Sequence, residues 1–468
     1  MRVSTEESTA RSETSRPSVS RRRLTIGMCS TIVAIAFEAI AVATAMPVAA
    51  RDLDGLDWYA WSFSLFLIGM LFATVVAGRL SDRMGPAKPM LVGIGIFAVG
   101  LVVSGTAEHM DQLIGGRLVQ GLGSGVMNVA IFVSIALVFE PASRPRMFTY
   151  ISTAWVLPAF VGPPISAWLT DRLSWHWVFF AVLPLVAFGG AMVLPTLRQM
   201  MRSHVVPAPV AGGARPAALW AAGLVAVAAA AIQLAGQRLD LVAIALFVGG
   251  GVALAVGLPR LMPPRFLRFG RGLPAVIVVR SLLPGAFFGA ESFIPLMMVE
   301  QRGVDLILAG VVLTFGAVGW TAGSFLQSQS WFTMRRDRLI LLGCGSVGLG
   351  IAIVAVTAIL PQLWFGLVAV GWIFAGFGMG VSTASTSLAV MTLSADTEQG
   401  RNASSLNLGD ALGSGIFIGV CGSIFTALHP SGDLTLTFGT VMIAMVAVAI
   451  AAAALSLRIG VVRTDAAP

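Results

Sequence analysis

Charged residues are scarce in this chain of 468 residues. Asp, Glu, Lys and Arg together make up 11% of it, whereas they form about a quarter of a typical soluble domain. Hydrophobic residues make up 57%, and the mean hydropathy is +0.88. Apolar runs of about 20 residues, the length that crosses a bilayer, recur along nearly the whole chain. This composition excludes a water-soluble fold and predicts an integral membrane protein.

Cysteine and histidine are also few. The three cysteines, Cys29, Cys344 and Cys421, all fall inside apolar runs, so no disulfide framework or metal cluster is indicated. The four histidines lie outside the predicted span interiors, and neither an HExxH nor a GxSxG motif occurs. A GxGxxG at 343–348 has no acid about 20 residues later, and close helix packing explains it. A membrane-embedded enzyme or sensor is the less favoured alternative.

Basic residues are plentiful but almost entirely arginine. Lys88 is the one lysine among 30 basic residues, which, with abundant Ala and Gly, indicates a GC-rich bacterial source. The Arg run at 21–23 before an apolar stretch resembles a twin-arginine export signal. That stretch is long, contains Glu38 and is followed by many more apolar runs, so an uncleaved first helix is favoured. Residues 1–20 have the composition of a disordered cytoplasmic tail.

The apolar runs predict about fourteen membrane-spanning helices, because barrel strands would be about ten residues long with alternating polarity. The spans are expected at roughly 25–50, 57–80, 89–107, 111–139, 147–170, 174–196, 217–235, 239–258, 273–299, 304–327, 339–360, 362–393, 403–427 and 434–457. With the N-terminus in the cytoplasm, 24 of the 30 basic residues are cytoplasmic, 4 are external and 2 lie within spans. The positive-inside rule therefore places both termini in the cytoplasm.

Two basic, proline-containing breaks divide the chain, at 197–216 and at 260–271. They separate six spans, two spans and six spans, and paired six-helix halves are typical of secondary transporters. The predicted fold is all-α, with two six-helix bundles plus two linker transmembrane helices. The predicted regions are a cytoplasmic tail at 1–23, an N-terminal bundle at 24–197, a linker with two transmembrane helices at 198–272, a C-terminal bundle at 273–458 and a cytoplasmic tail at 459–468.

The loop after the second span reads GRLSDRMGPAK and begins at Gly78. It resembles the signature loop of the major facilitator superfamily, which has Gly, Leu, Asp, Arg and Gly at this spacing. The resemblance implies a cytoplasmic gate made by Gly78, Asp82, Arg83 and Gly85, in which the glycine allows close helix approach and the aspartate faces the start of span thirteen. It also implies that Arg83 pairs with an acid at the end of span four, best matched by Glu140. The alternative is that these charges only set topology.

Spans four and five carry further motifs of the same superfamily. Arg117 and Gln120 fit its Arg-x-x-Gln-Gly pattern on a cavity-lining helix, and an arginine inside a span needs a carboxylate, water or carbonyl partner. Snorkelling of Arg117 to the outer interface is the alternative. Gly162 and Pro163 partly match the Gly-Pro motif of its exporters, where proline bends a gating helix, although an ordinary kink accounts for the same residues.

Acidic residues inside the spans are the candidate proton-coupling groups. Glu38 lies nine residues before Pro47, similar to the pattern of drug:proton antiporters, and Glu291 and Asp410 are expected to share its role. The alternative for Glu38 is an acid satisfied by a nearby arginine or helix dipole without titrating. Arg280 and Asp410 each lie about seven residues from the cytoplasmic end of their spans, which predicts an ion pair.

The resemblance covers about 450 residues and is strongest to the fourteen-helix drug:H+ antiporters. It implies a proton-coupled exporter of small amphipathic or cationic molecules that works by alternating access, with the proton gradient as energy source and no metal or other cofactor. An exporter or importer of one endogenous metabolite is the alternative. We expect a monomer in the bacterial inner (plasma) membrane, with the bilayer and a small-molecule substrate as partners and no nucleic acid.

Overall fold

A computed structural model describes residues 21–140, 143–202, 217–237, 240–329, 331–332, 334–395 and 398–462. The outer parts of the predicted tails, at 1–20 and 463–468, and residues 203–216 of the predicted linker lie outside the described residues. The described residues form α-helices, short 3-10 turns and connecting loops, without β-strands. The prediction of an all-α fold is confirmed.

Fifteen α-helices occur in the described ranges. They are α1 (Arg21–Asp52), α2 (Trp61–Met84), α3 (Ala87–Gly105), α4 (Met110–Val138), α5 (Arg144–Arg172), α6 (His176–Phe180), α7 (Leu183–Arg202), α8 (Ala217–Ala235), α9 (Leu241–Leu261), α10 (Leu273–Glu300), α11 (Leu306–Ser328), α12 (Arg336–Ile359), α13 (Gly366–Leu393), α14 (Gln399–Leu428) and α15 (Leu434–Ser456). The short α6 and the longer α7 together replace the single helix predicted for span six, because the chain turns at residues 181–182.

Twelve of the described helical segments are long and apolar enough to cross a membrane, with α6 and α7 taken together. This establishes a multi-pass membrane protein. Helices α5 and α8 are not in that set, and the apolar segment Leu219–Ala235 of α8 has 17 residues. The predicted count of fourteen spans is therefore not confirmed by length and composition.

Polar residues at the loops determine where several helices begin and end. Asp240, Asp305 and Asp433 each precede a helix and accept a hydrogen bond from a backbone N–H of its first turn, at 2.8 to 2.9 Å. Such N-caps satisfy donors that have no partner inside the helix. Helix α2 ends at Met84, and the next residue, Gly85, has a φ of 75°, in the left-handed region that favours glycine.

Both halves contain the same close packing of three helices. In the first half α4 packs against α2 and α3, and in the second α13 packs against α11 and α12. A Cβ on Gly121 of α4 would lie 2.1 Å from the carbonyl oxygen of Phe66, and a Cβ on Gly376 of α13 would lie 2.0 Å from that of Gly316. Small residues allow this approach of helix backbones, as is common within membranes. Contacts of α1 with α10, α2 with α14 and α5 with α11 join the two halves.

The helices have two sets of ends, which we call the proximal side and the distal side. The proximal side is where α1 begins at Arg21, and the distal side is where α1 ends at Asp52. Hydrogen bonds on the distal side link Asp52 to Trp175, which begins the connection into α6, at 2.9 Å. Contacts on the proximal side link Thr25 to Met147 of α5, with 3.4 Å between hydroxyl and sulfur. Helix α5 therefore runs from the proximal side to the distal side.

Candidate functional site

Glu38 and Arg117 contact each other in the interior of the first half. The Glu38 side chain is 0% exposed and that of Arg117 is 2% exposed, and Oε1 of the first meets Nη1 of the second. Arg117 also donates from Nε to the carbonyl oxygen of Ser62 at 2.8 Å and from Nη1 to Oε1 of Gln120 at 2.5 Å. Its guanidinium lies 4.5 Å from the centre of the Phe66 ring. Helices α1, α2 and α4 thus meet around one buried ion pair.

Gln120 links this pair to α3. Its Nε2 donates to the carbonyl oxygen of Gly100 at 3.1 Å and to the hydroxyl of Ser104 at 3.0 Å. Arg117 therefore points into the helix bundle, and the alternative in which it snorkels to the outer interface does not describe this conformation. Oε2 of Glu38 has no hydrogen-bond partner among the described groups. Oε1 of Glu38 thus faces the arginine, and Oε2 makes no such contact.

Arg280 and Asp410 form the ion pair that their positions in the sequence predict. Nη2 of Arg280 lies 2.8 Å from Oδ2 of Asp410, which joins α10 to α14. Glu291, the third predicted acid, lies eleven residues further along α10, forms no ion pair with a described residue and lies beside the indole of Trp372. The three acids are therefore at three separate places rather than in one cluster.

The predicted gate residues at the end of α2 are not engaged in this conformation. Asp82 and Arg83 are exposed, and a Cβ on Gly78 would meet no atom within 4 Å, so Gly78 does not mediate the expected close approach. Glu140 forms its ion pair with Arg21, at 3.0 Å, because the start of α1 lies next to the end of α4. The expected pair of Arg83 with Glu140 is therefore absent here, and a role of this loop in gating stays a prediction.

Gly162 and Pro163 lie where the two halves meet. A Cβ on Gly162 would lie 3.6 Å from Cγ2 of Ile40 in α1, and the carbonyl oxygen of Pro163 lies 3.1 Å from the Cβ position of Gly310 in α11. Helix α5 stays continuous through its internal prolines. The motif thus touches α1 of its own half and α11 of the other half, which is the location that a gating helix requires.

Side-chain contacts close the distal side between the halves. The hydroxyl of Tyr59, in the turn before α2, donates to the carbonyl oxygen of Ser292 in α10 at 2.6 Å. Arg51, at the end of α1, forms an ion pair with Glu300, at the end of α10. Tyr59 is fully buried. Neither contact is foreseen by the motifs, since both depend on how the two halves dock.

Comparisons with known proteins agree with this architecture. Residues 26–419 match the Major Facilitator Superfamily. Multidrug resistance protein 3 of Bacillus subtilis is 25% identical over 371 residues, which cover 77% of this chain and 71% of that protein. Multidrug transporter protein MdtP of the same organism is 25% identical over 305 residues, which cover 64% of this chain and 56% of that protein, little more than half its length.

A similar fold occurs in solved structures. The crystal structure of a POT family transporter in complex with a thioalcohol conjugated peptide has a TM-score of 0.69 and 14% identity to this chain, and the match covers 94% of this chain and 97% of the other. At that identity the likeness concerns the fold alone. The match of residues 26–419, which covers most of the chain, shows that the chain belongs to the Major Facilitator Superfamily, a family of membrane transporters and not an enzyme class.

Proposed function

We propose that this protein is a proton-coupled exporter of small amphipathic or cationic molecules, and that Glu38 is its proton-binding residue. The observation that carries the proposal is the buried contact between Glu38 and Arg117. Ionisable groups sealed inside a membrane domain are costly, and where they occur they usually serve ion pathways or substrate binding. The names of two relatives, a multidrug resistance protein and a multidrug transporter, support the same class of substrate.

The surroundings of the pair favour coupling between a proton and the conformation of the helices. Ionised Glu38 neutralises Arg117, so the bundle contains a compensated pair. When Glu38 binds a proton, Arg117 loses this partner but keeps its bonds to the carbonyl of Ser62 and to Gln120. The link between α1 and α4 then weakens, while the guanidinium of Arg117 keeps these hydrogen bonds. A change of protonation therefore shifts the balance between two arrangements of α1, as alternating access requires.

The distribution of basic residues indicates which side of the protein faces the cytoplasm. We propose that the proximal side is cytoplasmic, because most basic residues are at that side of the predicted spans. The contacts Tyr59 to Ser292 and Arg51 to Glu300 then close the external side of a bacterial inner membrane protein. An exporter takes up its substrate in such a state, and opening to the outside requires these contacts to break.

We further propose that α5 and α8 also cross the membrane, which makes fourteen spans. Helix α5 connects the two sides, as described above. Near the start of α8, the ring of Trp220 lies 4.6 Å from the guanidinium of Arg260, at the proximal end of α9. Just after α8, Gln237 donates to the carbonyl oxygen of Asp57 on the distal side, at 3.1 Å. Helix α8 thus reaches from one side to the other, and its contacts with α2 and α14 place it beside both halves.

Transport by the full chain in proteoliposomes tests the proposal. An imposed proton gradient should drive accumulation of a fluorescent cation such as ethidium, with proton flux in the opposite direction. Glu38→Gln should abolish gradient-driven transport, because the amide cannot bind and release a proton, and should leave ethidium binding measurable. Glu108→Gln, an equivalent change at an exposed loop position, is the control and should transport normally. Full proton-driven transport by Glu38→Gln would remove Glu38 from the mechanism.

A further inference from the structure

Glu291 differs from the other two acids deep in the spans because no basic group of the described residues pairs with it. Glu38 contacts Arg117, and Asp410 pairs with Arg280. No described arginine, lysine or histidine lies within ion-pair distance of Glu291. A carboxylate in the membrane interior needs a cationic partner or a proton. Among the described residues Glu291 therefore has no basic partner, which a bound cation can supply.

Aromatic rings from three helices gather one turn away from this acid. Phe287 of α10 stacks on Trp372 of α13, with 4.6 Å between ring centres and 21° between planes. Phe287 also meets Trp320 of α11 edge to face at 5.7 Å, and Phe288 lies 6.5 Å from the same ring. The carboxyl of Glu291 lies beside the indole of Trp372. An acidic side chain and several aromatic rings thus occupy one place in the second half.

This place is also partly open. In the stretch of α10 from Leu283 to Met298, all residues are buried except Phe288 and Glu291, which keep partial exposure. The two are three residues apart and so share one face of the helix. Trp320 is partly exposed as well, whereas Trp372 is fully buried. Phe288, Glu291 and Trp320 therefore keep surface that a ligand can contact.

We propose that Glu291, with Phe288 and Trp320 beside the buried Trp372, binds the positive group of a monovalent organic cation that carries aromatic or alkyl substituents. The carboxylate neutralises the charge, and the ring faces attract it through their quadrupoles, as in sites for quaternary ammonium ligands. One carboxylate among rings lacks the six or more oxygens that calcium takes, so a calcium ion does not fit. This inference rests on the proposed export function and defines its substrate class.

In this arrangement the substrate and the proton bind at different places in the protein. Glu38 and Arg117 lie on α1 and α4, whereas Glu291 and its rings lie on α10, α11 and α13. Helices α1 and α10 contact each other between the two halves. A cation bound at Glu291 and a proton bound at Glu38 then act on two neighbouring helices, so each can bias the same change of conformation without competing for one carboxylate.

Equilibrium binding of tetraphenylphosphonium to the purified full chain in detergent tests the site without a gradient. Wild type should bind the cation, and Glu291→Gln, which keeps the size and loses the charge, should weaken binding by about tenfold or more. Glu108→Gln is the matched control and should bind like wild type. Trp320→Leu should also weaken binding, whereas Trp320→Phe should retain most of it. Size-exclusion profiles and thermal unfolding verify that each variant is folded.

The possible results decide between clear alternatives. Equal affinity of wild type and folded Glu291→Gln would overturn the proposal, including the case in which that variant loses transport, since Glu291 would then handle protons only. Absence of measurable binding to wild type would overturn it as well. If Glu291 proves necessary for binding but a proton gradient drives no transport, the cation site stands and the proposed proton-coupled export fails.

Discussion

Arg280 and Asp410 form an ion pair across two helices of the second half, with 2.8 Å between Nη2 and Oδ2. Their side chains are 11% and 29% exposed, so the pair is neither sealed nor freely solvated. Arg280 also lies 3.4 Å from the hydroxyl of Thr386 in α13. One arginine thus connects α10, α13 and α14 on the proximal side.

Removal of one member of the Arg280–Asp410 pair should destabilise the protein more than removal of both. Arg280→Gln or Asp410→Asn leaves one charge uncompensated, and we expect each to destabilise the protein by about 2 kcal/mol, between the values for exposed and fully buried pairs. The double variant should recover part of this loss in thermal unfolding in detergent. Arg401→Gln, which breaks an exposed pair with Glu398, serves as control and should change little. A double variant no more stable than the worse single one would contradict the coupling.

The contact of Tyr59 with Ser292 should stabilise closure of the distal side. Tyr59→Phe removes one buried hydrogen bond, which contributes about 1 kcal/mol, and should raise the population open on that side by about fivefold. A cysteine replacing the buried Thr44 of α1 should then react faster with a thiol reagent. Tyr150→Phe, at the one other tyrosine of the chain and partly exposed on α5, is the matched control. If this cysteine reacts at the same rate in the otherwise unchanged protein, in Tyr59→Phe and in Tyr150→Phe, the hydrogen bond from Tyr59 to Ser292 does not stabilise closure.

The close approach of α4 to α2 should tolerate no side chain at Gly121. A Cβ there would lie 2.1 Å from the carbonyl oxygen of Phe66, a backbone atom that cannot rotate away, so Gly121→Ala should destabilise by about 1 to 3 kcal/mol. Gly115 is on the same helix, and a Cβ there would meet nothing within 4 Å. Gly115→Ala should therefore be neutral or slightly stabilising, because alanine favours the helix. Thermal unfolding of both variants measures the difference, and equal behaviour would contradict the packing argument.

The sequence predicts contacts well where they follow from position along a span, and poorly where they depend on docking of the two halves. Arg280 and Asp410 can be paired because each lies at the same depth from one membrane face. Arg117 could be recognised as needing a partner, but its contact with Glu38 appears only as one alternative, since nothing in the sequence fixes the rotation of α1 against α4.

Two other contacts could not be predicted from the sequence, for different reasons. The ring cluster at Phe287 depends on three helices that are far apart in sequence, and no spacing within α10 indicates it. The expected pair of Arg83 with Glu140 comes from a family pattern. In this conformation Glu140 instead forms an ion pair with Arg21 at the start of α1. A motif describes contacts of a conformational cycle, and a single state contains only some of them.

Orientation in the membrane can be tested at two exposed loop positions on opposite sides. Ser431 follows α14 on the distal side, and Ala395 follows α13 on the proximal side. Because the basic residues concentrate on the proximal side, an impermeant thiol reagent applied to intact cells should label Ser431→Cys and spare Ala395→Cys. The background variant needs Cys29, Cys344 and Cys421 replaced, so that no native thiol reacts. Both positions should react after permeabilisation, which shows that Ala395→Cys is chemically accessible. Labelling of Ala395→Cys in intact cells would reverse the proposed orientation, and the contacts of Tyr59 and Arg51 would then close the cytoplasmic side of the transporter.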